Sequence, residues 1–128
     1  MATNEVFRIT KKDIDADGNY KCSDKIETDL PIEIDENLGY VKIKLGVCSK
    51  KYIIAKAGSG IKAGWGIKAG SGIEAGSGII TFFGNIIAKF ISCLRICVGF
   101  HSTKIYTITA EIRKGDVILG KVEKPKKE

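Results

Sequence analysis

Acidic residues near the start of the chain have the spacing of a calcium-binding loop. Asp13, Asp15 and Asp17 alternate and are followed by Gly18, and alternate carboxylates before a glycine turn can surround a hard cation. The rest of the loop departs from this pattern, because its twelfth position is Asp24 instead of a bidentate glutamate and the segment before it looks extended rather than helical. The sequence favours an acidic turn, with a calcium site at Asp13, Asp15 and Asp17 as the alternative.

A second set of potential metal ligands recurs every four residues at Cys93, Cys97 and His101. On a helix these side chains would form one stripe suited to a soft metal, with Cys22 or Cys48 as a fourth ligand. The spacing is not that of a zinc finger or ribbon, and small thiols in an apolar segment are usually core residues. The single histidine also leaves no obvious Cys-His or Ser-His-Asp system. We therefore expect no cofactor and no enzyme activity.

One tryptophan and several lysines have the character of a binding surface. Trp65 stands where neighbouring repeat units carry serine, so the repeat itself does not require it. A protruding tryptophan between Lys62 and Lys68 is typical of an interface anchor with a basic rim or of a base-stacking platform. The alternative is that Trp65 packs under a terminal segment. The candidate binding residues are Trp65, Lys42, Lys44, Lys56, Lys62 and Lys68.

A six-residue repeat determines the elements that must position these side chains. Units that begin at Ile61, Ile67 and Ile73 read Ile, a charged residue, Ala, Gly, any residue, Gly, and such a period is typical of stacked backbone rungs. The Ile and Ala share the inner side of an extended strand, while the charged residue points out. The Gly-x-Gly corner indicates positive φ or close backbone approach. The repeat predicts buried Ile61, Ile67, Ile73 and Ile79, and exposed Lys62, Lys68 and Glu74.

These patterns predict an all-β protein, namely a short parallel β-solenoid with flanking β-strands and a C-terminal β-hairpin. A chain of 128 residues is long enough for one domain with a real core. We expect a single β domain over residues 1–122, with N-terminal strands in 1–50, solenoid repeats in 51–100 and the hairpin in 103–122. Residues 123–128 form a basic tail. The irregular spacing at residues 82–85 predicts a larger aromatic-filled rung or a short helix.

Charge is distributed unevenly along the chain. Residues 1–40 carry five basic and ten acidic side chains, whereas residues 41–102 carry nine basic and one acidic. This asymmetry favours a homodimer in which each acidic third meets the basic body of the other copy. The first residues lack the features of a signal peptide, and Lys89 and Arg95 disfavour a membrane span in the apolar segment 79–100. We expect a cytoplasmic protein without membrane contact.

The run of Ile-Lys-Ala-Gly-x-Gly and Ile-Glu-Ala-Gly-x-Gly units, followed by residues 88–92 and 94–96 and then a strand pair at 109–120, also resembles a known group of sequences. It is similar to Gly-rich hexapeptide-repeat β-solenoid proteins of Gram-positive bacteria and their phages, over about residues 53–122. The resemblance implies a cytoplasmic binding protein. By analogy with other small phage proteins, it implies an inhibitor of a host nucleic-acid-targeting defence complex, an anti-CRISPR-like role.

The sequence thus predicts a non-enzymatic protein that acts through a protein–protein interface. Direct nucleic-acid binding through a basic solenoid face is one alternative. A hexapeptide-repeat acyltransferase-like enzyme is another, although its catalytic histidine would have to be His101, which lies outside the regular repeat. Salt distinguishes the first two, because direct phosphate contact makes affinity fall steeply with ionic strength.

Overall fold

Short strands with buried alternate residues make up most of the structure, a computed structural model that describes residues 5–98 and 107–123. A single 3-10 turn, Lys11–Asp13, follows the first strand. The strands are β1 (Phe7–Ile9), β2 (Ile26–Thr28), β3 (Ile32–Ile34), β4 (Gly39–Ile43), β5 (Val47–Ser49), β6 (Ile53–Ala55), β7 (Ser59–Ala63), β8 (Ile67–Ala69), β9 (Gly72–Ala75), β10 (Gly78–Thr81), β11 (Ile86–Val98), β12 (Thr107–Leu119) and β13 (Lys121–Glu123).

Parallel pairing sorts these strands into three columns, which are the three faces of a solenoid. The first face stacks β1, β3, β6, β9, the middle of β11 and the middle of β12. The second face stacks β4, β7, β10, the end of β11 and the end of β12. The third face stacks β2, β5, β8, the start of β11, the start of β12 and β13. Successive strands lie on successive faces, so the predicted parallel β-solenoid is confirmed.

Three hexads make one coil of this solenoid. Ile79 pairs with Ile61, eighteen residues earlier on the second face. Ile67 lies between them in sequence but pairs with Val47 and Ile86 on the third face. Consecutive hexads therefore never stack on one another, and each face receives every third unit.

Isoleucine side chains fill the space inside the coils. Ile61, Ile67, Ile73 and Ile79 are each at most 1% exposed, and Lys68 and Glu74 are exposed, as the repeat predicts. Lys62, which the repeat predicts to be exposed, is half-buried. Its ammonium group lies 5.3 Å from the centroid of the Tyr40 ring, a cation–π contact that draws the lysine stem onto the sheet.

Buried hydroxyl groups connect neighbouring coils at the corners. The Ser59 hydroxyl accepts the Leu38 backbone N–H at 3.0 Å and donates to the carbonyl of Asp35. The Ser49 hydroxyl donates to the carbonyl of Leu30 at 2.7 Å. Both serines are buried, and each satisfies backbone groups that the turn of the previous coil leaves unpaired.

Close approach between coils explains most of the repeat glycines. Within residues 55–84, all of which the structure describes, Gly58 alone has a positive φ, at 78°. A Cβ at Gly66 would lie 2.8 Å from the carbonyl oxygen of Asn85, and one at Gly64 would collide with the carbonyl oxygen of Lys44. Glycine is therefore required because the corners of adjacent coils are stacked in contact.

The C-terminal residues form a further coil instead of the predicted hairpin. β12 pairs in parallel with β11 and with β13, so the segments before and after Gly115 lie on different faces. Gly115 has a φ of 125°, and a Cβ there would lie 2.9 Å from the carbonyl oxygen of Cys93. Two alternating segments around a glycine are compatible with both a hairpin and a solenoid corner. The sequence pattern could therefore not distinguish the two, and the hairpin prediction is wrong.

The solenoid also includes the N-terminal strands. β2 pairs with β5, and β1 pairs with β3, so the strands expected to flank the solenoid are rungs of it. Residues 82–85 form the corner between β10 and β11, without a helix. Most of the predicted basic tail, residues 124–128, lies outside the described residues. Among the residues that are described, no helix is long and apolar enough to cross a membrane.

Replacing Ile67 by Ala should lower the free energy of unfolding by about 2–4 kcal/mol, because the change removes a side chain that is 1% exposed and leaves a cavity between two coils. The exposed Glu74, replaced by Ala, serves as the control and should change stability by less than about 0.5 kcal/mol. Urea unfolding followed by circular dichroism measures both. A loss below about 1 kcal/mol for Ile67→Ala would contradict the stacked core.

Candidate functional site

Two of the three aspartates of the candidate calcium loop, Asp13 and Asp15, accept hydrogen bonds from nearby backbone groups. Asp13 accepts the Thr10 N–H at 2.8 Å, and Asp15 accepts the N–H groups of Asp17 and Asn19, each at 2.9 Å. The bond from Asn19 is the largest effect that lowers the pKa of Asp15. Within residues 5–98 and 107–123, no three potential ligand side chains lie close enough together to hold a metal ion. The Asp13 and Asp15 carboxylates thus accept backbone N–H groups of the turn.

Cys93 and Cys97 do not lie on a helix, as the alternative of a metal-binding stripe with His101 would require. The two cysteines lie on β11, a strand, which passes from the first face to the second between them; His101 lies outside the described residues. Cys93 is buried, and burial raises its pKa to about 11. Burial also raises the pKa of the half-buried Cys97. The thiolate, which binds metals and attacks electrophiles, is disfavoured at both positions.

The three-sided coil divides the predicted basic surface. Lys42 and Lys62 are neighbours in parallel register on the second face, whereas Lys68 lies on the third face. Lys56 follows the first face and lies 3.8 Å from the carboxylate of Glu33. Lysines one hexad apart point in different directions, and only those one full coil apart share a face.

We call the surface formed by Tyr40, Lys42, Lys44 and Lys62 the basic face. The three lysines line one groove of about 490 Å³. One edge of the Tyr40 ring lies against Gly60, where a Cβ would come within 2.8 Å of two ring carbons. Sequence reasoning missed Tyr40. The signal in the sequence was the glycine that precedes Ile61 and Ile79 on this face. Without a side chain, Gly60 and Gly78 leave room for the Tyr40 ring of the preceding coil.

Among the described residues, the lysines of the basic face form no close ion pair, although Asp24 lines the same groove. No described carboxylate lies within ion-pair distance of Lys42 or Lys62. The charge of Lys42 reaches Asp15, whose pKa it helps to lower. Like charges on directly neighbouring strands repel each other. Lys42 and Lys62 therefore place two like charges side by side on the second face.

Trp65 lies at the corner between the second and third faces and is 59% exposed. Leu45, Trp65 and Phe83 occupy the same corner in three successive coils. We call the two aromatic residues, Trp65 and Phe83, the aromatic ridge. The Trp65 N–H donates to the carbonyl of Leu45 at 3.3 Å, and the Phe83 N–H donates to that of Gly64 at 2.9 Å. Phe83 is 56% exposed. Sequence reasoning missed it because the irregular unit at residues 82–85 hides its alignment with Trp65.

The aromatic ridge borders the third face. Trp65 and Phe83 line a groove of about 580 Å³ together with Lys68 and Ile87, and Ile87 is 42% exposed. Lys62 lines the other groove, on the second face. The structure thus places Trp65 with Lys68 but on a different face from Lys62, and it yields two separate candidate binding surfaces.

No protein-family model, no curated protein and no solved structure matches this chain.

Thiol labelling of the folded protein should follow burial. We expect the exposed Cys22 to react first with iodoacetamide, the half-buried Cys48 and Cys97 more slowly, and Cys93 only after unfolding, because it is buried and its raised pKa disfavours the thiolate. Peptide mapping by mass spectrometry measures each rate, with urea-unfolded protein as the control. Labelling of Cys93 as fast as that of Cys22 in the folded protein would contradict the described coil.

Proposed function

We propose that this chain is a non-enzymatic protein that binds an acidic surface of another protein through its basic face. The observation that carries the proposal is the in-register pair of Lys42 and Lys62, which has no ion-pair partner among the described residues. Two adjacent like charges destabilise a sheet, and a carboxylate bound between them would remove that repulsion. Binding energy of this kind is available to any suitably acidic partner.

A protein partner fits this face better than a nucleic acid does. On the second face, the column of outward side chains continues from Lys62 to Ile80 and Cys97. The basic part of this column therefore adjoins an apolar part. Protein interfaces combine an apolar and aromatic centre with charged surroundings, which Tyr40 and Ile80 can provide. A nucleic-acid backbone needs a basic track along its length, and the solenoid sends Lys56 and Lys68 to other faces.

The buried side chains that carry a hydroxyl or thiol group are used in the packing of the coils, which is consistent with a binding role. The buried hydroxyls of Ser49, Ser59 and Thr81 are engaged in bonds to backbone groups. The thiols of Cys93 and Cys97 have raised pKa values. For this reason we place the proposed binding on the outward-facing side chains.

The resemblance to repeat proteins of Gram-positive bacteria and their phages extends the proposal to a class of partner. If the resemblance holds, the acidic surface belongs to a host nucleic-acid-targeting defence complex. The chain would inhibit this complex by occupying its acidic surface. The basic face supplies the chemistry for such binding, and the resemblance alone supplies the identity of the complex.

Reversing both charges of the pair tests the basic face. We expect K42E/K62E to weaken binding of a fluorescent polyglutamate peptide by about tenfold or more, since two attractions become repulsions. The control K12E/K89E makes the same charge change at exposed lysines elsewhere, and its affinity should stay within about threefold of the original. Fluorescence anisotropy at two salt concentrations measures both, beside a labelled single-stranded oligonucleotide.

An equal loss in both variants would show that net charge, and not the basic face, binds the peptide. Tighter binding of the oligonucleotide with a steeper salt dependence would favour the nucleic-acid alternative. The physiological partner is then sought by affinity capture from nuclease-treated host extract. A protein retained by K12E/K89E and lost by K42E/K62E is the expected result.

A further inference from the structure

We propose that the partner bound by the basic face also places a large apolar side chain on the aromatic ridge, an inference that rests on the proposed function. One segment of the partner would cross the corner between the second and third faces. It would carry carboxylates for the lysines of the basic face and, within a few residues of them, a side chain such as leucine for Trp65 and Phe83. The site would thus select acidic segments that include an apolar residue over segments that are acidic alone.

The groove of the basic face and the groove beside the aromatic ridge share one wall. At four levels of the corner, two consecutive residues line the two grooves, the first on the side of the second face and the next on the side of the third face. Since consecutive Cα atoms are about 3.8 Å apart, a ligand passes from one groove to the other within a few residues. The residue pairs are Asp24 and Lys25, Lys44 and Leu45, Gly64 and Trp65, and Phe82 and Phe83.

The shared wall has a gap at Gly64. Backbone hydrogen bonds place this residue between Lys44 of the coil before and Phe82 of the coil after, and Gly64 has no side chain that could stand between the grooves. Lys62 lies two residues before the gap and Trp65 directly after it. The chain from Lys62 to Trp65 spans at most about 11 Å. A carboxylate and an apolar side chain only a few residues apart in the partner can therefore reach both.

Charge determines where along the corner an acidic segment would cross. Asp24 lines the groove of the basic face, and Glu27 lines the groove of the ridge, both at the end toward the N-terminus. Carboxylates at that end would repel an acidic segment, which places the crossing in the later coils, at the gap beside Lys62. The other charged side chains that line the two grooves, among the described residues, are lysines: Lys25, Lys42, Lys44, Lys62 and Lys68.

The aromatic ridge supplies the apolar half of the site. Trp65, Phe83 and Ile87 are exposed and line one groove, so an apolar side chain placed there would remove their surfaces from water. Large aromatic residues at the centre of an interface contribute much of the binding energy. The coil does not require Trp65, because Ser71 and Ser77 occupy the same position in the next two repeat units. Its large ring is available to a partner.

Peptides of equal charge test the crossing. The probes are a labelled polyglutamate peptide, the same peptide with Leu added through two glycines at its C-terminus or at its N-terminus, and a control with Ser in place of Leu. We expect one of the two Leu peptides to bind about tenfold more tightly than polyglutamate, and the Ser control to gain nothing. The gain should persist at high salt, because apolar contacts are not screened. Fluorescence anisotropy measures each affinity.

Variants locate the two halves of the site. W65S introduces the residue that neighbouring repeat units carry, and it should reduce the gain from Leu to less than about threefold while leaving polyglutamate binding unchanged. F83A should act in the same direction. L94A removes an exposed apolar side chain at another corner and is the control that keeps the gain. K42E/K62E should weaken the Leu peptide and polyglutamate by the same factor, about tenfold.

The emission of Trp65 reports on the ridge directly, because the chain contains one tryptophan. The tighter Leu peptide should shift this emission to shorter wavelengths as the ring leaves water, and polyglutamate should not. The same shift on raising the protein concentration without peptide would assign the ridge to a second copy of the chain. Stronger quenching by a single-stranded oligonucleotide than by the Leu peptide would assign it to nucleic-acid bases. Either result would overturn the crossing.

The outcomes separate this inference from the proposed function. If polyglutamate binds through Lys42 and Lys62 but neither Leu peptide gains affinity, the proposed function stands and the crossing is wrong. A gain that survives W65S, or a Leu peptide that keeps its affinity in K42E/K62E, would also overturn the crossing, since the two halves would then not act on one ligand. If polyglutamate does not bind, both proposals fail.

Discussion

The contact between one coil and the next is the interaction on which everything else in this protein depends. Isoleucine packs on isoleucine one coil away, as Ile61 does with Ile79, while parallel backbone hydrogen bonds join the same strands. The inner isoleucines are almost completely buried, and glycine corners let the backbones approach within contact distance. Because both the apolar column and the hydrogen bonds require the same register, a shift in register would lose both at once.

That register also decides which outward side chains are neighbours. Lys42 and Lys62 meet because they are one coil apart on the second face, and Glu27, Cys48 and Lys68 align on the third face for the same reason. A solenoid thus converts separations of about twenty residues into spatial columns. Both candidate binding surfaces therefore result from the stacking of the coils, the strands supplying most of the lysines and the corners supplying Trp65 and Phe83.

The repeat could predict the solenoid and its inner residues, because a strand with alternating burial needs only local periodicity. It could not predict how many hexads close a coil, since each unit supplies a strand and a corner but not the angle between them. The placement of Lys62 and Lys68 around Trp65 therefore could not be derived. Gly115 shows the same limit, because a corner and a hairpin both need a glycine between two alternating segments. Tyr40 and Phe83 become recognisable only when the coils are aligned.

Deleting parts of the repeat tests the central claim that three hexads form one coil. Removal of residues 61–78 joins Gly60 to Ile79, so every later strand keeps its face and moves to the position one coil earlier. Removal of residues 67–72 alone sends each later strand to the wrong face. Urea unfolding followed by circular dichroism should show a cooperative transition for the longer deletion and its loss for the shorter one. If the variant with the six-residue deletion unfolds as cooperatively, and at as high a urea concentration, as the variant with the eighteen-residue deletion, the three-sided coil is contradicted.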